Sequence, residues 1–140
     1  MPTTQPKTID LDHWGLGIPL LHTGPAAVTL LSDTLVFGVT IPAGYEFDGA
    51  SVPRAFYNIL ARFTDGLPAA MVHDYRYDPM PDADGVKRRQ LTRSQADREF
   101  YRNLRASGVN WARSQAAYRA VRLAGGVPWN RGTKKGIVNP

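Results

Sequence analysis

The sequence predicts an α+β fold, in which a small N-terminal antiparallel β-sheet is followed by a body of about four helices. Up to about residue 50, short β-branched and apolar runs alternate with proline and glycine, as is typical of strands and turns. Beyond it, apolar residues recur at helical spacing. We therefore expect one domain over 1–126, mainly extended over 1–50 and mainly helical over 51–126. A basic, mobile C-terminal tail is expected over 127–140.

Two strands are predicted at 28–31 and 35–41, because both segments are rich in β-branched and apolar residues. Ser32-Asp33-Thr34 lies between them and suits a hairpin turn. Pro42 and Gly44 end the second strand.

The helical half contains four predicted helices, at 53–63, 68–77, 92–108 and 110–124. Pro53 and Pro68 suit a first helical turn, where the missing N–H has no helical acceptor. Thr92 and Gln95 have the spacing of a capping box. Gly125-Gly126 is expected to stop the last helix.

The composition is that of an ordinary globular protein, with 43% hydrophobic and 21% charged residues in 140. There is no cysteine, which excludes disulfides and thiolate metal sites. No apolar run is long enough to span a bilayer, and the N-terminus lacks the apolar stretch of a secretory signal. The net charge is +5, and most basic residues lie after residue 85, so an anionic partner is expected there.

His73, Asp74 and Asp97 are the candidate chemical residues. His73 and Asp74 lie on the 68–77 helix, and Asp97 lies close to the apolar stripe of the next one. Because a buried carboxylate needs a donor, we expect Asp97 to hydrogen-bond His73 across the two helices. The second ring nitrogen would then be a base near neutral pH, and Asp74 could ligate a hard cation through oxygen. The alternative is a purely structural set that ties the two helices together.

A second candidate cluster is the loop F-D-G-A-S-V-P-R at 47–54. Asp48 and Ser51 can accept hydrogen bonds from the first N–H groups of the helix that follows. The functional interpretation is that the loop covers His73 and supplies Asp48, Ser51 or Arg54 to its site. No phosphate-binding loop, dinucleotide fingerprint, zinc motif or other specific nucleic-acid motif is present.

Three motifs together resemble an uncharacterised family of tailed phages and prophages, domain of unknown function number 1353. They are F-D-G-A-S-V-P-R (47–54), H-D-Y-R-Y (73–77) and T-R-S-Q-A-D-R-E-F (92–100). The resemblance runs from about Tyr45 to Gly126. It implies a viral or prophage origin without implying a reaction.

H-D-Y-R-Y followed by A-D-R-E-F is also similar to the paired helices of phospholipase A2, especially the parvovirus type. This resemblance implies that His73 is the base that activates water and that Asp97 orients it. Asp74 would be a calcium ligand, and Tyr77 the motif tyrosine. No clear glycine-rich calcium loop precedes His73; Asp65-Gly66-Leu67 is a poor substitute.

Two functions follow as expectations. The first is a virion-associated tail, capsid or assembly protein, preferred because the calcium loop is missing and a single carboxylate holds a metal weakly. Its partners would be other phage structural proteins. The alternative is a phage hydrolase, resembling calcium-dependent phospholipase A2, that acts at an anionic host membrane. The expected location is the virion or the host cytoplasm. The sequence leaves the substrate and the oligomeric state open.

Overall fold

The computed structural model describes residues 8–9, 20–22, 28–47 and 66–140. The chain divides into two compact units, Met1–Asp48 and Gly49–Pro140, and each is described by itself. Small antiparallel sheets in the first unit and four described helices in the second confirm the α+β class. The expected single domain over 1–126 stays a prediction. No helix in the described ranges has both the length and the apolar character needed to cross a membrane.

The described part of the first unit contains six short strands: β1 (Thr8–Ile9), β2 (Leu20–His22), β3 (Val28–Leu30), β4 (Thr34–Val36), β5 (Val39–Ile41) and β6 (Glu46–Phe47). Strands β1, β2, β3 and β6 form one antiparallel sheet in that order, with Leu20 opposite Leu30 and Val28 opposite Phe47. Strands β4 and β5 form a separate hairpin with Val36 opposite Val39. Leu30, Ile41 and Phe47 are buried.

The predicted strand at 35–41 is wrong as a single element, because a two-residue turn divides it. Phe37 and Gly38 both have positive φ, 49° and 74°, which is the backbone form of a tight hairpin turn. The hairpin therefore folds within the predicted strand. Strand β3 pairs with β2 and β6 instead of with 35–41.

The second unit contains four described helices: α1 (Leu67–Tyr77), α2 (Arg93–Ala106), α3 (Trp111–Ala124) and α4 (Gly126–Lys134). Helix α1 has its proline in the first turn, as predicted. The capping box at the start of α2 is confirmed, since Thr92 Oγ1 accepts from Gln95 N and Gln95 Oε1 accepts from Thr92 N. Asn110 caps α3 through its side chain. The predicted helix at 53–63 lies outside the described residues.

Helix α1 is the most buried of the four, with eight of its eleven residues inside. It packs on α2, which packs on α3, and α4 contacts both α3 and α1. The core between the helices is small and apolar; it includes Val72, Ala96, Phe100, Leu104 and Val121. A polar residue on the inner face of α1 or α2 is therefore forced to find a partner inside the protein.

Residues 127–140, predicted as a mobile tail, are folded in the structure. Helix α4 follows α3 after the single residue Gly125, and Trp129 and Ile137 are buried. Val138 then bonds back to the loop before α2: its N–H donates to Lys87 O, and its carbonyl accepts from Arg89 N. The prediction failed because the segment is rich in glycine and lysine, and only these distant contacts order it.

Candidate functional site

His73 lies on the inner face of α1 and is 1% exposed. Its ring lies between two aromatic rings, with centroid distances of 4.5 Å to Tyr77 and 4.6 Å to Phe100. Tyr77 is one helical turn further along α1, and Phe100 comes from α2. The sequence pattern of α1 therefore places the imidazole in the middle of the helix core.

Asp97, on α2, is completely buried and accepts three hydrogen bonds. Its Oδ1 lies 2.7 Å from His73 Nε2 and accepts from the Tyr77 hydroxyl at 2.7 Å. Its Oδ2 accepts from Arg122 Nη1, also at 2.7 Å. The predicted bond between His73 and Asp97 is confirmed. These four side chains are called the Asp97 network; they connect α1, α2 and α3.

The charges within the network follow from its burial. Burial alone would raise the pKa of Asp97, but hydrogen bonds from His73, Tyr77 and Arg122 outweigh it and hold that pKa below 3.8. Burial lowers the pKa of His73 below 6.5, against the opposing effect of Asp97. Since Arg122 already neutralises the carboxylate, a second cation is not needed. The network at neutral pH therefore contains a carboxylate, a guanidinium and a neutral imidazole.

A neutral imidazole whose Nε2 faces a carboxylate carries its proton on that nitrogen. The hydrogen-bond acceptor of the ring is then Nδ1. Burial, followed by the hydrogen bond to Asp97, raises the pKa of Tyr77, so its hydroxyl remains a donor. The arrangement fixes both the tautomer and the orientation of His73, which is what a general base requires.

Arg122 was not singled out by the sequence, although a signal was available. The loop between α2 and α3 is short, so the two helices run antiparallel and Asp97 lies level with about residue 120. A cation near that level faces the carboxylate. The Arg122 side chain is 34% exposed, so it extends from the buried His73–Asp97 pair to the protein surface.

A second buried polar group, also missed, is centred on Arg89 in the loop before α2. Arg89 donates to the carbonyls of Tyr77 and Trp129, and to the side chains of Thr133 and Asn139. Its guanidinium carbon lies 3.7 Å from the centroid of the Trp129 ring. Arg89, Trp129, Thr133 and Asn139 are called the Arg89 cluster. It fixes α4 and the chain end against α1.

Two glycines allow the backbone to approach these polar groups closely. A Cβ on Gly125 would lie 2.5 Å from the Tyr77 hydroxyl, and one on Gly132 would lie 2.5 Å from Arg89 Nη2. Real Cβ atoms do not come so near, so both positions require glycine, which has no Cβ. Gly125-Gly126, predicted as a helix stop, is thus also a close contact with Tyr77.

Of the remaining predicted site residues, only Asp74 lies in the described ranges. Asp74 is buried on α1 at 5% exposure, and no group of three or more His, Asp or Glu in the described ranges is arranged to hold a metal ion. Its role as a calcium ligand stays a prediction. Asp48, Ser51 and Arg54 lie outside the described residues, and so does the capping expected of that loop.

A family model described as "Protein of unknown function (DUF1353)" matches residues 29–121. The chain belongs to this family. The DUF1353 match covers His73, Tyr77 and Asp97 and ends one residue before Arg122, while Trp129 lies beyond it. The predicted family is thereby confirmed; its association with phages and the similarity to phospholipase A2 stay predictions.

One curated relative of this DUF1353 chain is "Uncharacterized protein y4jT" of Sinorhizobium fredii (strain NBRC 101917 / NGR234). The two are 33% identical over 101 residues, which cover 71% of this chain and 26% of the relative. The chain therefore spans about a quarter of the relative's length. No solved structure matches it.

Proposed function

We propose that this DUF1353 chain is a hydrolase in which His73 is the general base and Asp97 holds it in place. The observation that carries the proposal is the 2.7 Å contact between His73 Nε2 and Asp97 Oδ1, in a network where the imidazole is neutral. These are the roles that the resemblance to phospholipase A2 implies for the two residues. Tyr77 and Arg122 position Asp97 and touch no reacting atom.

The chemical step needs one base and one water molecule. His73 Nδ1 takes a proton from water while the water oxygen bonds to the carbonyl carbon of an ester. The carbon–oxygen bond to the leaving alcohol then breaks, and the proton passes from His73 to that oxygen. Because His73 is 1% exposed, we expect the substrate to bind to a more open form of the site, as in enzymes with closing lids.

The energetic cost of the network supports a functional role. Burying the charge of Asp97 is costly even when it is paired, and its partner Arg122 remains 34% exposed, so the network is a poor way to gain stability alone. Perturbed titratable groups that contact one another are enriched at functional sites. His73, Tyr77 and Asp97 all have shifted pKa values.

The proposed substrate class is a phospholipid ester at an anionic host membrane, which the basic second half of the chain would favour. In the described ranges, no group of three or more His, Asp or Glu is arranged to hold a metal ion. No step above uses calcium. A phage or prophage origin, with action in the host cytoplasm or from the virion, belongs to this proposal.

A virion-associated role is the second candidate, and the sealed position of the network favours it. Asp97 joins three helices while it and His73 have almost no contact with solvent. In this interpretation the network only holds the helices together. The partners would be other phage structural proteins.

The decisive assay measures fatty-acid release from phosphatidylglycerol vesicles, with calcium or with EDTA. We expect wild-type protein to release fatty acid and His73→Gln to lose activity by about 100-fold or more. Glutamine keeps one hydrogen bond but takes no proton at neutral pH. Arg88→Gln, at an exposed arginine, is the matched control and should retain activity. If calcium is required, Asp74→Asn should raise the concentration needed.

Folded wild-type protein that releases no fatty acid in either condition would end the phospholipase proposal. The virion-associated candidate would then remain. Equal activity in wild type and a folded His73→Gln variant would instead show that hydrolysis uses another base. Circular dichroism of each variant distinguishes loss of activity from loss of fold.

A further inference from the structure

A groove lies on the outer side of the α2–α3 pair, separate from the Asp97 network. It is lined by Arg98, Tyr101, Arg102, Gln115 and Tyr118 and encloses about 420 Å³. The three α2 residues are three and four positions apart, so they share one face of that helix. The volume falls within the usual range for small-ligand sites, about 300–1,000 Å³.

Two tyrosine rings, one from each helix, form the wall of the groove. The centroids of Tyr101 and Tyr118 are 5.9 Å apart, and their planes meet at 66°. Both residues are only partly buried, so part of each ring remains available to a ligand. A flat ring can stack on either of them.

The groove also has two positive charges. Arg98 and Arg102 are exposed, and neither pairs with a carboxylate anywhere in the described part of the chain. Arg76 and Arg122, on the neighbouring helices, do have carboxylate partners. Two guanidinium groups one helical turn apart are well suited to bind phosphate oxygens.

We propose that this groove binds single-stranded nucleic acid. Arg98 and Arg102 contact successive backbone phosphates, and bases stack on both Tyr101 and Tyr118. Aromatic rings beside a basic groove are the usual means by which proteins hold a single strand without reading its sequence. This explains why the chain needs no specific nucleic-acid motif for such binding.

The shape of the site favours a nucleic-acid strand over a membrane surface. Proteins that lie on lipid insert exposed apolar side chains into the interface. Here the aromatic rings line a concave groove between two helices, and they are accompanied by guanidinium groups. Binding in this groove is independent of the proposed hydrolase, because it uses none of the Asp97 network.

The test is fluorescence anisotropy with a labelled twelve-residue oligothymidylate and the full 140-residue chain, over a range of salt concentrations. We expect the Arg98→Gln/Arg102→Gln variant to bind about tenfold or more weakly at low salt and to reduce the salt slope by about 1.4, the value for two lost single-strand phosphate contacts. Tyr118→Leu should weaken binding by about fivefold or more, while Tyr118→Phe should retain affinity, because it keeps the stacking ring.

The matched control is Arg131→Gln/Lys134→Gln, which removes two exposed charges from α4 outside the groove. Equal weakening by both double variants would overturn the proposal, because binding would then depend on overall charge. Full affinity in Tyr118→Leu would also overturn it. The proposal would also be overturned if the protein bound no oligonucleotide and instead bound phosphatidylglycerol vesicles through the groove. The four arginine and lysine positions are exposed, so the comparison does not depend on a variant that fails to fold.

Discussion

The Asp97 network and the Arg89 cluster are two polar groups buried in the same helical unit, and they are built in opposite ways. Asp97 is an acceptor that receives three donors, from His73, Tyr77 and Arg122. Arg89 is a donor that reaches carbonyl, hydroxyl and amide oxygens and lies over an aromatic face. Tyr77 connects the two: its hydroxyl donates to Asp97 and its carbonyl accepts from Arg89.

The Asp97 network and the Arg89 cluster differ in whether their members change charge with pH. The Asp97 network contains a histidine and a carboxylate, which change charge at accessible pH values. The acceptors of Arg89 are neutral, and an arginine remains charged throughout. The first group can therefore take part in proton transfer, whereas the second can only fix structure. The three predictions that follow test this contrast.

The largest expected effect is that of Asp97→Ala. Removing the carboxylate leaves a buried histidine, a tyrosine hydroxyl and a guanidinium without their acceptor. We expect the free energy of unfolding to fall by about 3–5 kcal/mol, the usual cost of breaking a buried pair. Urea unfolding followed by circular dichroism measures it. The control Asp84→Ala changes an exposed carboxylate and should shift stability by no more than about 0.5 kcal/mol.

A loss of unfolding free energy below about 1 kcal/mol for Asp97→Ala would contradict the conclusion that His73, Tyr77 and Arg122 depend on Asp97 as their acceptor. It would mean that water or a rearranged side chain replaces the carboxylate without difficulty. A variant that is unfolded at 25 °C agrees with the prediction, since domains of this size have only about 5–15 kcal/mol of stability.

A smaller effect is expected from Arg89→Lys, which keeps the charge and removes the planar set of donors. A lysine cannot reach several acceptors in different directions, so buried carbonyl groups lose their partner. We expect a loss of about 2–3 kcal/mol in the free energy of unfolding. Arg88→Lys, at the exposed neighbouring position, should cost less than about 0.5 kcal/mol. Equal losses of unfolding free energy in Arg89→Lys and Arg88→Lys would show that the buried hydrogen bonds of Arg89 add no stability beyond that of an exposed arginine.

The sequence predicted the His73–Asp97 pair of the first group and missed the second group for a physical reason. His73 and Asp97 interrupt apolar helical patterns, so each needs a buried partner and neighbouring helices can provide it. Arg89 stands in the run Lys87-Arg88-Arg89 within a loop, which has the pattern of a solvated surface. Its burial depends on Trp129, forty residues later, and no local pattern indicates that contact.

The same distinction applies to the fold. The bounds of α1, α2 and α3 were predicted well, because the capping box of Thr92 and the proline of α1 are local signals. The turn at Phe37-Gly38 was missed, since a phenylalanine rarely adopts positive φ and no Asn-Gly or Asp-Gly pair marks the place. Helix α4 was missed because it is held by contacts of Trp129 with Arg89 and Tyr77, which are distant in sequence.

The smallest expected effect is a pH dependence that belongs to the Asp97 network alone. Burial holds the pKa of His73 below its ordinary value of 6.5 in the folded protein. Below that pH the unfolded chain binds a proton on His73 that the folded chain does not. Stability is therefore fully present above pH 6.5 and falls as the pH decreases towards the folded pKa. The contribution of Asp97 is lost separately, at pH values under 3.8, because its folded pKa is lowered.

Urea unfolding of wild type, His73→Gln and Arg89→Lys between pH 7.5 and pH 5 separates the two groups. One proton gives a slope of at most about 1.4 kcal/mol per pH unit. We expect wild type and Arg89→Lys to share this decrease, because the neutral acceptors of Arg89 do not titrate. We expect His73→Gln to lose the part of the slope that its imidazole provides, since glutamine binds no proton in either state. The same slope in all three proteins would mean that His73 titrates normally in the fold, and a normally titrating His73 would not be held neutral by the network.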